Sequence, residues 1–245
     1  MAKIKKIIGR QVFDSRGNPT VEAEIYSDKD LYASAIVPSG ASTGTHEAFE
    51  LRDNENKNYL GKSVFKAIEN INGPIAKSLR GIDIGDQTKI DKTLIDLDGT
   101  EQKKKLGSNA ILAVSVAACK IAAIEKNVSL FKYLGNSKRY QLTVPLLNII
   151  NGGVHAKNNL DIQEFMIRPD KAKSFSEAMR LSFLVIQNLK LILDTTNVGD
   201  EGGFAPNLKS NEEAIETIMK AIEKSGFKPG EDLSICLDVA ANELK

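Results

Sequence analysis

Asp200-Glu201-Gly202-Gly203 places two acids beside two glycines. Such a segment lets the backbone close around a ligand and leaves a carboxyl that neighbours can tune toward general acid work. The same composition also serves as an ordinary turn. Asp238 ends an otherwise apolar run, Ile235-Cys236-Leu237-Asp238, where burying an unpaired carboxylate is costly. Its partner is either a hard, oxygen-liganded cation such as Mg²⁺ or a basic side chain. His155 follows Asn151-Gly152-Gly153-Val154 at the end of another apolar run and is one of only two histidines. It reads as a functional group by position or as a satisfied structural residue by type. Gln163 and Glu164 are neighbours in a third apolar segment. Regular strand geometry sends them to opposite faces, so a bulge is required for both to serve one site. Ser42 sits in Pro38-Ser39-Gly40-Ala41-Ser42-Thr43-Gly44, which lacks both the GK[ST] ending of a P-loop and the dinucleotide fingerprint. Nucleotide binding is thereby disfavoured, and the loop is either a mobile lid carrying Ser42 to a metal or phosphate, or a flexible turn.

These groups need elements to position them. From Lys3 to Val37 apolar residues alternate, as in Val21, Ala23 and Ile25 against Glu22 and Glu24, with turn chemistry at 14–19 and 27–30. A three-stranded meander is predicted. Helical spacing follows at Val64, Ile68, Ile71 and Ile75 and again at Ile90, Leu94 and Leu97, the latter opened by a cap at Asp86. Ser108 or Asn109 opens the Ala-rich stretch Ala110 to Glu125, about four turns long and carrying Lys120, which reads as a central buried helix and not a membrane span.

The polar, aperiodic stretch from Gly135 to Thr143 divides the chain into residues 1–140 and 141–245. Beyond it the spacing predicts strands over Val144 to Ile150, Ile162 to Ile167 and Leu233 to Val239, with helices over Phe175 to Leu193 and Glu212 to Lys224. Fully apolar strands imply a sheet covered on both faces, and this order implies an α/β barrel or a doubly wound sheet.

With 33 basic against 32 acidic residues, no global field recruits nucleic acid or an anionic membrane. The two cysteines, Cys119 and Cys236, form no CxxC pair and read as reduced thiols. The N-terminus has no apolar stretch long enough for a signal peptide, so a cytoplasmic location is expected.

Seven strings, in one order, resemble the enolase family: Asp14-Ser-Arg-Gly-Asn-Pro-Thr20, Pro38 to Gly44, Glu50-Leu-Arg-Asp53, Leu106-Gly-Ser-Asn-Ala-Ile111, Asn148-Ile-Ile-Asn-Gly-Gly153, Gln163-Glu-Phe-Met166 and Val198-Gly-Asp-Glu-Gly-Gly203. The wording is nearest to bacterial members. The resemblance implies an α+β N-terminal capping domain over 1–140, then the first part of a (β/α)₈ barrel over 141–245. It implies a Mg²⁺-dependent carbon–oxygen lyase that interconverts 2-phosphoglycerate and phosphoenolpyruvate in glycolysis, with two Mg²⁺ ions stabilising the doubly charged carboxylate formed on loss of the C2 proton. By the same resemblance Glu201 is the acid that assists departure of the C3 hydroxyl, and Glu164 is its neighbour in the proton network. Gln163 and His155 contact substrate, Asp238 is a ligand of the tighter Mg²⁺, and Ser42 belongs to the lid that closes on the second. A homodimer, or an octamer of dimers, is implied as well, as are the cell-surface or secreted roles some members have.

A complete barrel takes about 250 residues, whereas about 100 follow the proposed boundary. The family's catalytic lysine, its two further Mg²⁺ ligands and its phosphate-binding groups have no counterparts in these residues. Two expectations follow. In one, these residues belong to a longer enolase and are inactive alone; in the other, they are a non-catalytic binding or assembly module. The segment Leu189 to Asn197 is also about four residues shorter than the family's connection, which bears on how Glu201 approaches the site.

Overall fold

The computed structural model describes residues 1–40, 42–54, 58–135, 137–193 and 195–244; Ala41 of the Ser42 loop, Asp194 of the short connection and Lys245 lie outside them. Contacts group the chain into two units, residues 1–40 with 45–138, and residues 41–44 with 139–245.

In the first unit β1 (Ile4–Phe13), β2 (Pro19–Ser27) and β3 (Tyr32–Val37) form the predicted antiparallel meander. Val21, Ala23 and Ile25 are fully buried, as their alternation requires. The first turn is fixed by Asp14, whose Oδ1 accepts the Arg16 and Asn18 amides at 2.9 Å each. Glu24 points away from the apolar core yet is also buried. The Arg10 guanidinium spans its two oxygens at 3.1 and 3.0 Å and holds its carboxyl below the usual range.

The first helical segment is one continuous run: α1 (Phe65–Asn70), a π-helical turn over Ile71–Ile75, and α2 (Ala76–Leu79). The widened turn accommodates Pro74, which cannot donate to an α-helical ladder. Asp53 caps the run from outside, accepting the Phe65 and Lys66 amides at 2.6 and 3.0 Å. Helix α3 (Gln87–Asp98) opens at Asp86 as expected, the carboxylate accepting from the Lys89 amide. Helix α4 (Ser108–Glu125) packs its Ala-rich face on β2 and β3. It is the one helix among the described residues long and apolar enough to cross a membrane, and half of it is buried inside this unit. A short α5 (Leu130–Leu134) follows, which the residue pattern did not announce.

The second unit has β4 (Leu147–Asn151), β5 (Glu164–Arg168) and β6 (Ser234–Asp238) in that spatial order, and α6 (Phe175–Ile192) and α7 (Asn211–Lys224), which pack together. Ser174 and Ser210 cap these helices through the Glu177 and Glu213 amides. Ile149, Phe165, Ile167, Leu181, Val185, Ile218 and Ile222 make the core.

Two expectations are corrected here. β4 starts at Leu147, not Val144, because Pro145 has no amide to give a ladder. β5 starts at Glu164, so Gln163 lies before the strand and not inside it. Both pairings of this sheet are antiparallel: β4 and β5 are joined by a short connection that returns the chain directly, and β5 and β6 through α6 and α7.

The pairing register sorts side chains into rows. Leu147, Ile167 and Ile235 stand opposite one another and belong to the core under the helices. On the other face, Asn148, Met166 and Cys236 form one row and Asn151, Glu164 and Asp238 the next. A spacing of three sends Asn148 and Asn151 to opposite faces of a regular strand; the irregularity in register between Asn148 and Ile150 returns both to the same face.

Candidate functional site

The polar row at the end of this sheet is where the candidate residues meet. Glu164 and Asp238 are cross-strand neighbours, two carboxylates directly opposite, an arrangement that repels unless a proton or cation intervenes. Asp238 is exposed, with one oxygen accepting the Ala240 amide at 3.0 Å.

Glu201 arrives from the glycine-rich segment, which is laced onto β4 by backbone bonds. The Phe204 amide donates to the Ile149 carbonyl and the Asn151 amide to the Phe204 carbonyl, both at 2.9 Å, while the Asp200 amide reaches the His155 carbonyl at 3.0 Å. The short connection before Val198 therefore leaves this loop firmly docked. Its glycines permit the docking: a Cβ on Gly199 would lie 2.6 Å from the His155 carbonyl oxygen, and one on Gly203 2.6 Å from Asn151 Oδ1.

His155, in the single helical turn Gly153–His155, is almost wholly buried. Its Nδ1 stands 3.5 Å from Glu201 Oε2 and 3.8 Å from Glu164 Oε1. The ligand atoms of His155, Glu164 and Glu201 all lie within 4.8 Å of one another. Burial first, then a hydrogen bond shared with Glu201, then the charges of Glu201 and Asp238 push the Glu164 carboxyl up to about 7. With its carboxyl raised to about 7, Glu164 holds a proton up to about neutrality.

Around this cluster the chain leaves buried polar atoms without hydrogen-bond partners: Asn148 Oδ1, both side-chain heteroatoms of Asn151, His155 Nδ1 and Gln163 Oε1. Each such atom costs about 1–3 kcal/mol, which a fold tolerates where a bound molecule or ion is due to satisfy it. Asn148 and Asn151 were not singled out from sequence. Their signal was present, as the only polar side chains in the run Leu146 to Asn151. Asn148 donates to Glu201 Oε2 at 3.3 Å.

The structure thus brings together His155, Glu164 and Glu201, with Asp238 opposite Glu164 and Gln163 buried one residue earlier. Ser42 is outside that cluster. Residues 41–44 do group with the second unit, where Asn242, four residues past Asp238, donates to the Thr43 carbonyl at 3.4 Å. A cavity of about 330 Å³ elsewhere in the unit, between residues 140–145 and 172–178, contains none of the candidate residues.

Comparison with known proteins agrees with the sequence resemblance. The family model described as enolase, N-terminal domain, matches residues 4–134, and the one described as enolase, C-terminal TIM barrel domain, matches residues 139–245. The chain is 63% identical over 248 aligned positions to the enolase of Pelagibacter ubique (strain HTCC1062), the match spanning all of this chain and 59% of that relative's length.

Proposed function

The chain belongs to the enolase family, and from that premise we propose that the protein built on it interconverts 2-phosphoglycerate and phosphoenolpyruvate with Mg²⁺. The family implies a divalent metal site. The oxygen donors here fit one: Asp238 is exposed at the end of β6 and offers carboxylate oxygen to a hard cation.

The observation that supports the reading best is the Glu164–Glu201 pair, which keeps a proton at neutral pH within reach of open solvent, Glu201 being 46% exposed. In this reading Glu201 gives that proton to the departing C3 hydroxyl, an expulsion that needs an acid because hydroxide leaves poorly. Glu164, only 14% exposed, holds that proton and passes it to Glu201 across their hydrogen bond as Glu201 protonates the leaving hydroxyl. His155 and Gln163 offer their unpaired Nδ1 and Oε1 to the substrate. Asp238, and Ser42 from its loop, hold the metal. When bound, Mg²⁺ supplies the positive charge that makes a proton beside a carboxylate removable.

We assign the division near residue 140 to a capping domain and the opening strands of a barrel. A cytoplasmic homodimer, or an octamer of dimers, completes the proposal.

The test is turnover of 2-phosphoglycerate by the full-length protein, followed by enol absorbance with Mg²⁺ and again after chelation. Mg²⁺-dependent absorbance growth is expected. Its absence at any Mg²⁺ concentration refutes the reading.

A further inference from the structure

The glycine-rich loop is docked through its backbone, which fixes where the Glu201 side chain starts but not where its carboxyl ends. That side chain is half-exposed and long, with several rotatable bonds to order. A group that must meet a departing oxygen within hydrogen-bond reach needs its carboxyl held as well as its backbone.

The sheet supplies a holder. Asn148, on β4, donates from Nδ2 to Glu201 Oε2 at 3.3 Å, the same oxygen that stands 3.5 Å from His155 Nδ1. The other end of the carboxamide is wedged under the loop, where a Cβ on Gly203 would lie 3.2 Å from Asn148 Oδ1. Its oxygen thus rests against Gly203 while its nitrogen reaches Glu201, two residues earlier in the same loop.

Two features separate this contact from an incidental one. The neighbours of Asn148 in β4 are Leu147 and Ile149, and an apolar side chain in its place would not leave Oδ1 buried and unpaired. The register irregularity between Asn148 and Ile150 is what sets Asn148 on the polar face together with Asn151. The strand carries a cost in polar burial and a break in its pairing, and both serve to aim one amide at Glu201.

We propose that Asn148 is the positioning residue of the acid. Its amide holds the Glu201 carboxylate in the orientation in which it receives the proton of Glu164 and passes one to the C3 hydroxyl. The C3–O bond then breaks with its electron pair on that oxygen, which departs as water. A neutral amide suits this relay, since a cation in its place would hold Glu201 ionised against the transfer. The role rests on the function proposed above.

The experiment is a double-mutant cycle in the full-length protein with Mg²⁺: wild type, Asn148→Leu, Glu201→Gln and the pair, with dehydration, KM and C2-proton exchange read separately. Asn148→Leu should lower the dehydration rate about ten-fold and leave KM and exchange within about two-fold. Added to Glu201→Gln, it should lower the rate by less than about two-fold further. Equal losses of exchange and dehydration, a ten-fold effect that persists beside Glu201→Gln, or a change in KM alone overturns the proposal. Asn148→Ala, which adds no bulk, takes the place of the leucine variant if that one fails to fold. Crystal structures of the full-length wild type and of the Asn148 variant read the orientation without turnover. Glu201 should occupy one rotamer in the first and several in the second, and an unmoved Glu201 overturns the proposal. Absence of wild-type turnover overturns the functional reading instead and leaves the crystallographic result standing.

Discussion

Glu164 carries the sharpest consequence at the scale of single residues. Its carboxyl titrates near its ordinary 4.5 in the unfolded chain and near 7 when folded. Between about pH 4.5 and about 7 the folded chain therefore holds more protons than the unfolded one, so its stability is highest at the acid end and falls as pH rises through 7. Glu164→Gln, which cannot ionise, should flatten this slope. Urea midpoints at pH 5 and pH 8 measure it, and equal slopes in both proteins would remove the shifted carboxyl from the account. Asn148 makes a second case. It leaves a buried oxygen unpaired while its amide holds Glu201, so Asn148→Leu should keep or raise stability while lowering turnover of the full-length enzyme about ten-fold. A variant that is strongly destabilised yet fully active would show that Asn148 serves the fold and not the site.

Among the elements, the glycine-rich loop is held by close approach and α1 by a distant cap. Gly199→Ala places a methyl 2.6 Å from a carbonyl and 2.7 Å from Asn151 Cβ, and is expected to cost about 1–3 kcal/mol. Gly202→Ala, at a positive φ of 82° with nothing nearby, should cost only about 1 kcal/mol. Chemical denaturation ranks the two, and a reversed order would mean that the loop is not packed as described. Asp53→Ala removes both cap acceptors of α1 and should lose about 1–2 kcal/mol from the first unit. Thermal melts followed by helix signal should show it, and an unchanged melting temperature would discount the cap.

Element-level features were legible where the signal was local. The alternation of Val21, Ala23 and Ile25 and the cap at Asp86 each depend on residues a few positions apart. The irregularity at Asn148 to Ile150 was not legible, since it exists only relative to β5 and no property of β4 alone declares it. Nor was the cap from Asp53, twelve residues from the amide it serves. The expectation that one of Gln163 and Glu164 must turn away assumed both lay in a strand, and the strand begins one residue later.

At the scale of the molecule, the residues of the site come from separate segments around residues 155, 164, 201 and 238, and their types alone left each an open choice between a role in chemistry and an ordinary structural or solvent-facing one. What joins His155, Glu164 and Glu201 is the docking of the 198–204 segment on β4, a backbone pattern no side chain encodes. The family resemblance supplied the roles, and the geometry supplies the reason an acid here stays protonated. The chain covers 59% of the length of the relative it matches, and the base assigned by resemblance lies outside the strings it shares. The 245 residues assayed as an isolated polypeptide should accordingly give no enol absorbance from 2-phosphoglycerate with Mg²⁺. Appreciable turnover would mean that another group on this chain takes the C2 proton.

The central claim is that Glu201 serves the departure of the hydroxyl and not the removal of the C2 proton. In the full-length protein, Glu201→Gln should therefore lose most of its dehydration rate, by two to four orders of magnitude. It should still exchange the C2 proton of 2-phosphoglycerate with deuterated solvent, read by proton NMR of the recovered substrate. Loss of exchange and dehydration together, or retention of normal turnover, would contradict the account.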